Sequence, residues 1–199
     1  MRYEKGHKDA TRQRILDEAS RRFKGEGVAA VGLAGLMQGA GLTNGAFYAH
    51  FKSKNDLVEH VLAEALDRRN IAVAKIFEDG GNIEAVIRSY LSPRHCAHAE
   101  QGCVTAALIS EVSRHPKSTR AIHTQKIESF IKLIAPHVVG KNTNDRRQAA
   151  YSLFGVLIGN LQLARASADP ALSKQILEGG ISAALHLTQQ TPPRTQNDI

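Results

Sequence analysis

Between Leu42 and Lys54 the chain reads Leu-Thr-Asn-Gly-Ala-Phe-Tyr-Ala-His-Phe-Lys-Ser-Lys. These residue types, at this spacing, suit the recognition of a nucleic-acid duplex. An Asn amide pairs bidentately with adenine, a Thr hydroxyl bonds to several base edges, and an Ala methyl meets the methyl of thymine. Thr43, Asn44, Gly45 and Ala46 therefore form the candidate tip, with Gly45 allowing the backbone close to a groove. Tyr48, His50 and Lys54 are of types that hold phosphate. Lys54 also begins the next helix, where unpaired backbone N–H groups favour an anion. Phe47 and Phe51, at i and i+4, share the opposite face. A helix this short is not stable alone, so its Phe face must be held by other elements.

Those elements are legible upstream. Ile15, Leu16, Ala19 and Phe23 make one apolar face on a helix expected from about Asp9 to Lys24, stopped by Gly25 and Gly27. A second short helix is expected after Gly32, carrying Leu33, Leu36, Met37 and Ala40, with Gly41 as its stop. Two short helices joined by a Gly-containing turn, crossed by a first helix, form a helix-turn-helix pattern.

Composition agrees with helices throughout. Apolar residues make up 42% of the 199 residues, aromatics only 5%, and there is no Trp. Ala, Leu, Glu, Lys and Arg dominate, and alternating β-branched runs are rare, which implies an all-α fold. The net charge is +7, and it is unevenly placed: residues 1–54 hold 10 Lys/Arg against 5 Asp/Glu, whereas residues 55–199 hold 16 against 14. A positive field on the first quarter of the chain suits a polyanion. No apolar run approaches a membrane span and no apolar signal core follows the N-terminus, so a cytoplasmic protein without membrane contact is expected. Two cysteines do not make a secreted disulfide framework.

Further along, a helix is expected from about Lys54 to Phe77, and Asp79-Gly80-Gly81-Asn82 is the clearest break. Helical stretches follow at Ile83–Leu91, closed by Ser92-Pro93, then Cys103–Ser113, Lys117 to about Val138, Asp145 to about Ala166, and from Pro170 through Leu187. His95–Gly102 reads as irregular. The division is thus 1–54 with the helix-turn-helix, a connecting helix from about 54 to 78, a helical region at 79–190, which the family resemblance given next makes the effector-binding and dimerisation domain, and a disordered tail at 191–199.

The run Gly-Leu-Thr-Asn-Gly-Ala-Phe-Tyr-Ala-His-Phe-Lys-Ser-Lys-Asn-Asp-Leu resembles the signature of the tetracycline-repressor (TetR) family of bacterial transcription regulators. Arg14-Ile15-Leu16, Ala19, Phe23 and Gly27 match its first helix. The resemblance covers about residues 10–60. It departs at Gly32, where the family often has a capping Thr or Ser, and at Leu36-Met37, where Ile-Ala is usual. It implies that Asn44, Gly45, Ala46 and Tyr48 contact operator DNA, with Thr43, His50 and Lys54 near phosphates. It further implies a ligand-responsive repressor binding a palindromic operator as a homodimer through its last two helices, which carry the small residues Gly155, Gly159, Gly179, Gly180, Ala183 and Ala184. A small-molecule effector would lie among the middle helices, with Ile87, Tyr90, Leu91, Cys103, Leu108, Phe130, Ile134 and Phe154 as candidate lining.

Gly102-Cys103, followed by Ala106-Ala107-Leu108 and Glu111, resembles the LmrA/YxaF-like subgroup. Three readings of this region stay open: a buried inert Cys103, a thiolate sensor at a helix N-terminus, or a metal site from His95, Cys96, His98 and Cys103. The last matches no standard zinc spacing. For the whole chain, an enzyme is disfavoured: there is no Ser-His-Asp order, phosphate loop or Glu-x-x-His pair, and no cofactor is expected. A nucleoid-type protein with sequence-independent DNA contact is the other alternative.

Overall fold

The computed structural model describes residues 5–189, and every regular element in that range is helical. The elements are α1 (Lys5–Glu26), α2 (Leu33–Gly39), a 3₁₀ recognition helix (Asn44–Ala49), α3 (Lys54–Glu78), α4 (Ile83–Tyr90), α5 (Pro93–Ala97), a 3₁₀ turn (Ala99–Gln101), α6 (Val104–Val112), α7 (Lys117–Ile134), a second 3₁₀ turn (Ala135–His137), α8 (Thr143–Ala166) and α9 (Pro170–Gln189). The tail expected at 191–199, like residues 1–4, lies outside the described residues.

Local chemistry sets most of the boundaries. Gly27 and Gly41 have φ of +85° and +68°, the left-handed region that glycine enters without a Cβ penalty. At the end of α2, Gly41 N–H donates to Gln38 O and Leu42 N–H to Met37 O, both at 2.9 Å. This pair of bonds is the Schellman arrangement that closes a helix. The same arrangement ends α3, where Gly81 N–H reaches Ile76 O at 2.8 Å. Side-chain caps open α4, α5 and α8. Asn82 Oδ1 accepts from Ala85 N–H, Ser92 Oγ from His95 N–H and Asn142 Oδ1 from Asp145 N–H.

The expectations are corrected in three places. α1 begins at Lys5 rather than Asp9, and Gly25 lies inside it, so only Gly27 acts as the stop. The stretch read as irregular contains α5, because Ser92 caps it and Pro93 sits in its first turn, where a missing N–H costs nothing. α7 ends at Ile134, and Pro136 belongs to a separate 3₁₀ turn.

The described residues form two compact units. The first combines the residues up to Arg68 with Ala99–Lys126; the second combines Arg69–His98 with the residues from Ile127. This grouping differs from the expected division at residue 79, because α6 and the first half of α7 pack with the helix-turn-helix. Glu111 explains part of this. Its Oε2 accepts from Ala29 N–H at 3.2 Å, tying α6 to the turn after α1. Lys24 Nζ donates to Gly102 O at 3.3 Å. Glu59 on α3 accepts from Ser118 Oγ at 2.8 Å and from Thr119 Oγ1 at 2.9 Å, and Lys126 pairs with Asp67 at 2.6 Å.

The core of the first unit contains Ile15, Leu16, Phe23, Leu36, Met37, Phe47, Phe51, Leu57 and Leu62. In the second unit α8 lies along α9, burying Leu153, Leu157, Leu161, Leu177 and Ala184.

The two Phe anchors carry the position of the recognition helix. Phe47→Ala is expected to destabilise the protein by about 3–5 kcal/mol, the usual cost of emptying a buried aromatic site. Urea denaturation followed by circular dichroism measures it; a loss below about 1 kcal/mol would contradict the anchoring role.

Candidate nucleic-acid interface

The interface is assembled from the end of α2, the recognition helix and the start of α3. Thr43 has extended backbone and acts as N-cap without a side-chain cap bond. Thr43, Asn44 and Gly45 are exposed, and Ala46 is half-exposed. Tyr48 is 67% exposed, unusual for a large aromatic side chain in a folded protein. Behind this surface Phe47 is fully buried and Phe51 nearly so, with ring centroids 5.7 Å apart. Phe47 also meets the edge of Tyr48 at 5.2 Å, which fixes the direction of the exposed ring.

Arg14 stabilises the turn that presents this tip. Its Nη2 donates to Ala40 O at 2.6 Å, linking α1 to the last turn of α2. Gly32 caps α2 through backbone alone, consistent with its lack of a side-chain oxygen. After the recognition helix, Lys52 N–H donates to Asp56 Oδ2 at 2.8 Å and Asp56 N–H to Ser53 Oγ at 3.1 Å. These reciprocal bonds cap the start of α3. Lys54 lies in that first turn, half-buried and without an ion pair among the described residues.

His50 differs from the other candidate phosphate residues. Its Nδ1 is buried and has no hydrogen-bond partner. Burial, followed by the nearby charges of Lys8 and Arg12, holds its pKa below the ordinary value of 6.5. A neutral ring with a bare buried Nδ1 leaves only its other nitrogen to meet a phosphate.

The candidate effector residues separate. Ile87, Leu91, Phe130, Ile134 and Phe154 are buried and Tyr90 half-buried in the second unit, whereas Cys103 and Leu108 belong to the first. Phe130 and Phe154 are in contact at 4.8 Å, and Tyr90 approaches Phe154 edge-on at 6.4 Å. Sequence reasoning missed Arg69, whose guanidinium stacks 4.0 Å from the Phe130 ring centre and 5.0 Å from that of Phe154. Its signal was present: Arg69 falls in register with Leu62, Leu66 and Val73 on the buried stripe of α3.

Cys103 is the N-cap of α6 and is buried, and Cys96 lies 3.9 Å from Ser173 Oγ in the other unit. No group of His, Cys, Asp or Glu suited to a metal ion occurs among the described residues. The same range holds no helix long and apolar enough to cross a membrane.

Comparison with known proteins agrees with this geometry. Residues 15–61 match the family described as bacterial regulatory proteins, tetR family. The match to that family is confined to this N-terminal segment. Over 51 residues the chain is 47% identical to the HTH-type transcriptional regulator AcrR of Shigella flexneri, a match covering 26% of this chain and 24% of that protein. The curated relatives are thus matched over less than a third of their length. Similarity of fold extends further. The reduced form of NemR from E. coli superposes with a TM-score of 0.76 at 20% identity, over 93% of this chain and 100% of that one. A TetR-family regulator from Agrobacterium tumefaciens gives 0.74 at 19% identity, over 88% and 98%. The likeness of fold therefore includes residues of both units.

The depressed pKa of His50 has a consequence for stability. Between its folded and unfolded values the unfolded chain binds more protons, so stability rises with pH in that window. The contribution is fully present above about pH 6.5, the unfolded value, and is lost as pH falls through the lower folded value. Urea midpoints measured from pH 7.5 to 5 should fall further for the wild type than for His50→Gln; parallel curves would contradict the assignment.

Proposed function

We propose that the protein is a ligand-responsive transcription regulator, a repressor that binds a palindromic operator as a homodimer. The observation that carries this reading is the exposed Thr43–Ala46 tip set on a buried Phe47–Phe51 base. That arrangement offers base-reading groups to a major groove, with Tyr48, His50 and Lys54 beside them for the phosphates. Catalysis has no counterpart in it, and the relatives matched in sequence are named as transcriptional regulators. Action in the cytoplasm follows from the same reading.

A helix-turn-helix monomer reaches one half-site, and a dimer reaches two. Support for dimerisation through α8 and α9 comes from their outer faces. Tyr151, Gly155, Gly159 and Leu163 form an exposed line at four-residue spacing on α8, with Leu163 62% exposed. Leu172, Gly179 and Ala183 are exposed on α9. A Cβ added at Gly155, Gly159 or Gly179 would meet nothing within 4 Å. Small and apolar residues on two adjacent helices suit close helix–helix approach, and a four-helix contact between copies would cover them.

The effector is assigned to the interior of the second unit, where Tyr90, Phe130 and Phe154 gather beside Arg69. The stretch from α6 to the start of α7 would pass the signal on. Glu111, His115 and Thr119 each bond to elements of the DNA-binding head, His115 Nδ1 donating to Asn55 Oδ1 at 3.0 Å. A shift of this stretch is then delivered to the head, moving the two tips out of register with successive grooves. The Gly102-Cys103 pattern supports placement in the LmrA/YxaF-like subgroup.

Two measurements test this. Mobility shift with DNA from upstream of the protein's own gene should show binding that scrambled DNA does not displace; equal competition by scrambled DNA would favour a nucleoid-type role. Gly159→Arg should give a folded monomer by light scattering, with operator affinity lowered on the order of 100-fold through loss of the second half-site. A variant that remains dimeric would remove α8 from the interface.

A further inference from the structure

The DNA-binding surface does not end at the helix-turn-helix. We infer that the first turns of α1 extend it, Lys8 and Arg12 taking backbone phosphates beside the recognition helix. This rests on the DNA-binding reading above and adds residues to it.

Three observations on α1 lead there. The first is position. Lys8 and Arg12 stand at i and i+4, on one face of the helix. The Arg12 guanidinium lies 4.9 Å from the ring centre of Phe51, the second anchor of the recognition run. Both charges are close enough to His50 to disfavour its protonation. They therefore flank the end of the recognition helix.

The second observation is commitment. Further along α1, the arginines have structural partners: Arg14 with Ala40 O, Arg21 with Glu18 and Arg22 with Glu26. Lys8 and Arg12 form no ion pair or hydrogen bond with any described residue. Cations held near one another without a carboxylate repel, and a polyanion relieves that repulsion. The structure thus keeps two positive groups unneutralised at one edge of the tip.

The third observation is order. Arg12 is half-buried against an aromatic face. A guanidinium resting on a ring loses less freedom on meeting a phosphate than a freely extended side chain. His50, neutral at physiological pH, cannot supply the charge that its place in the run suggests, and Lys8 and Arg12 supply it from α1.

Phosphate contacts add affinity without sequence preference, and each one adds about 0.9 to the steepness of the salt dependence on B-DNA. Full-length protein is tested by fluorescence anisotropy on a duplex selected from random DNA by the wild type, across a salt series. In a dimer each substitution removes two contacts. Lys8→Ala and Arg12→Ala should each lower the magnitude of the slope by about 1.8. Affinity should fall by similar factors for the selected and a scrambled duplex. Arg12→Lys should keep the slope, which separates charge from packing against Phe51. Arg21→Ala, paired elsewhere, should leave the slope unchanged. Unchanged slopes in both alanine variants, with wild-type binding intact, overturn the inference alone. Absence of any wild-type binding to DNA overturns it together with the proposed function.

Discussion

A six-residue 3₁₀ helix cannot hold its own shape in water, and everything the N-terminal domain presents depends on how Asn44–Ala49 is held. The restraint is the insertion of Phe47 and Phe51 into the core of the first unit. Burying two aromatic rings at four-residue spacing fixes both the axis and the rotation of the segment. Rotation matters because it decides which side chains face outward. With Phe47 inward, Asn44, Gly45 and Tyr48 are exposed. The Schellman closure at Gly41 and the Arg14 bond to Ala40 O then set where the segment starts.

Charge is arranged around that restraint rather than spread evenly. Arginines deeper in α1 are bound to carboxylates or carbonyls and serve the fold. Lys8 and Arg12, near the tip, form no ion pair with any described residue. His50 sits among them and is held neutral by burial and by its neighbours. The His50 behaviour follows from solvation: burial beside two cations disfavours the charged form of its ring.

Much of this was legible from residue order, because the features are local. A Gly at a helix end, an Asn or Ser three residues before a free N–H and an i, i+4 pair of Phe are all decided within one or two turns of chain. The tetR-type run is of this kind. What stayed hidden depends on distant pairs. Glu111 bonds to Ala29 and Thr119 to Glu59, and these contacts tie α6 and the start of α7 to the turn after α1 and to α3. Arg69 was passed over because a charged residue in an apolar stripe reads as an interruption, until two aromatic rings are found stacked on it. Residues 5–8 carry no apolar face, so nothing in their order marks the start of α1 at Lys5. Ser92-Pro93 both ends one helix and caps the next.

The central claim is that the exposed tip reads bases. Selection of binding sites from random duplex DNA, by the wild type and by Asn44→Ala in parallel, addresses it most directly. The account predicts that the wild type enriches a two-fold symmetric site, and that the variant enriches the same site with preference lost at one mirrored position in each half. Failure of the wild type to enrich any site, or an unchanged preference in the variant, would contradict it.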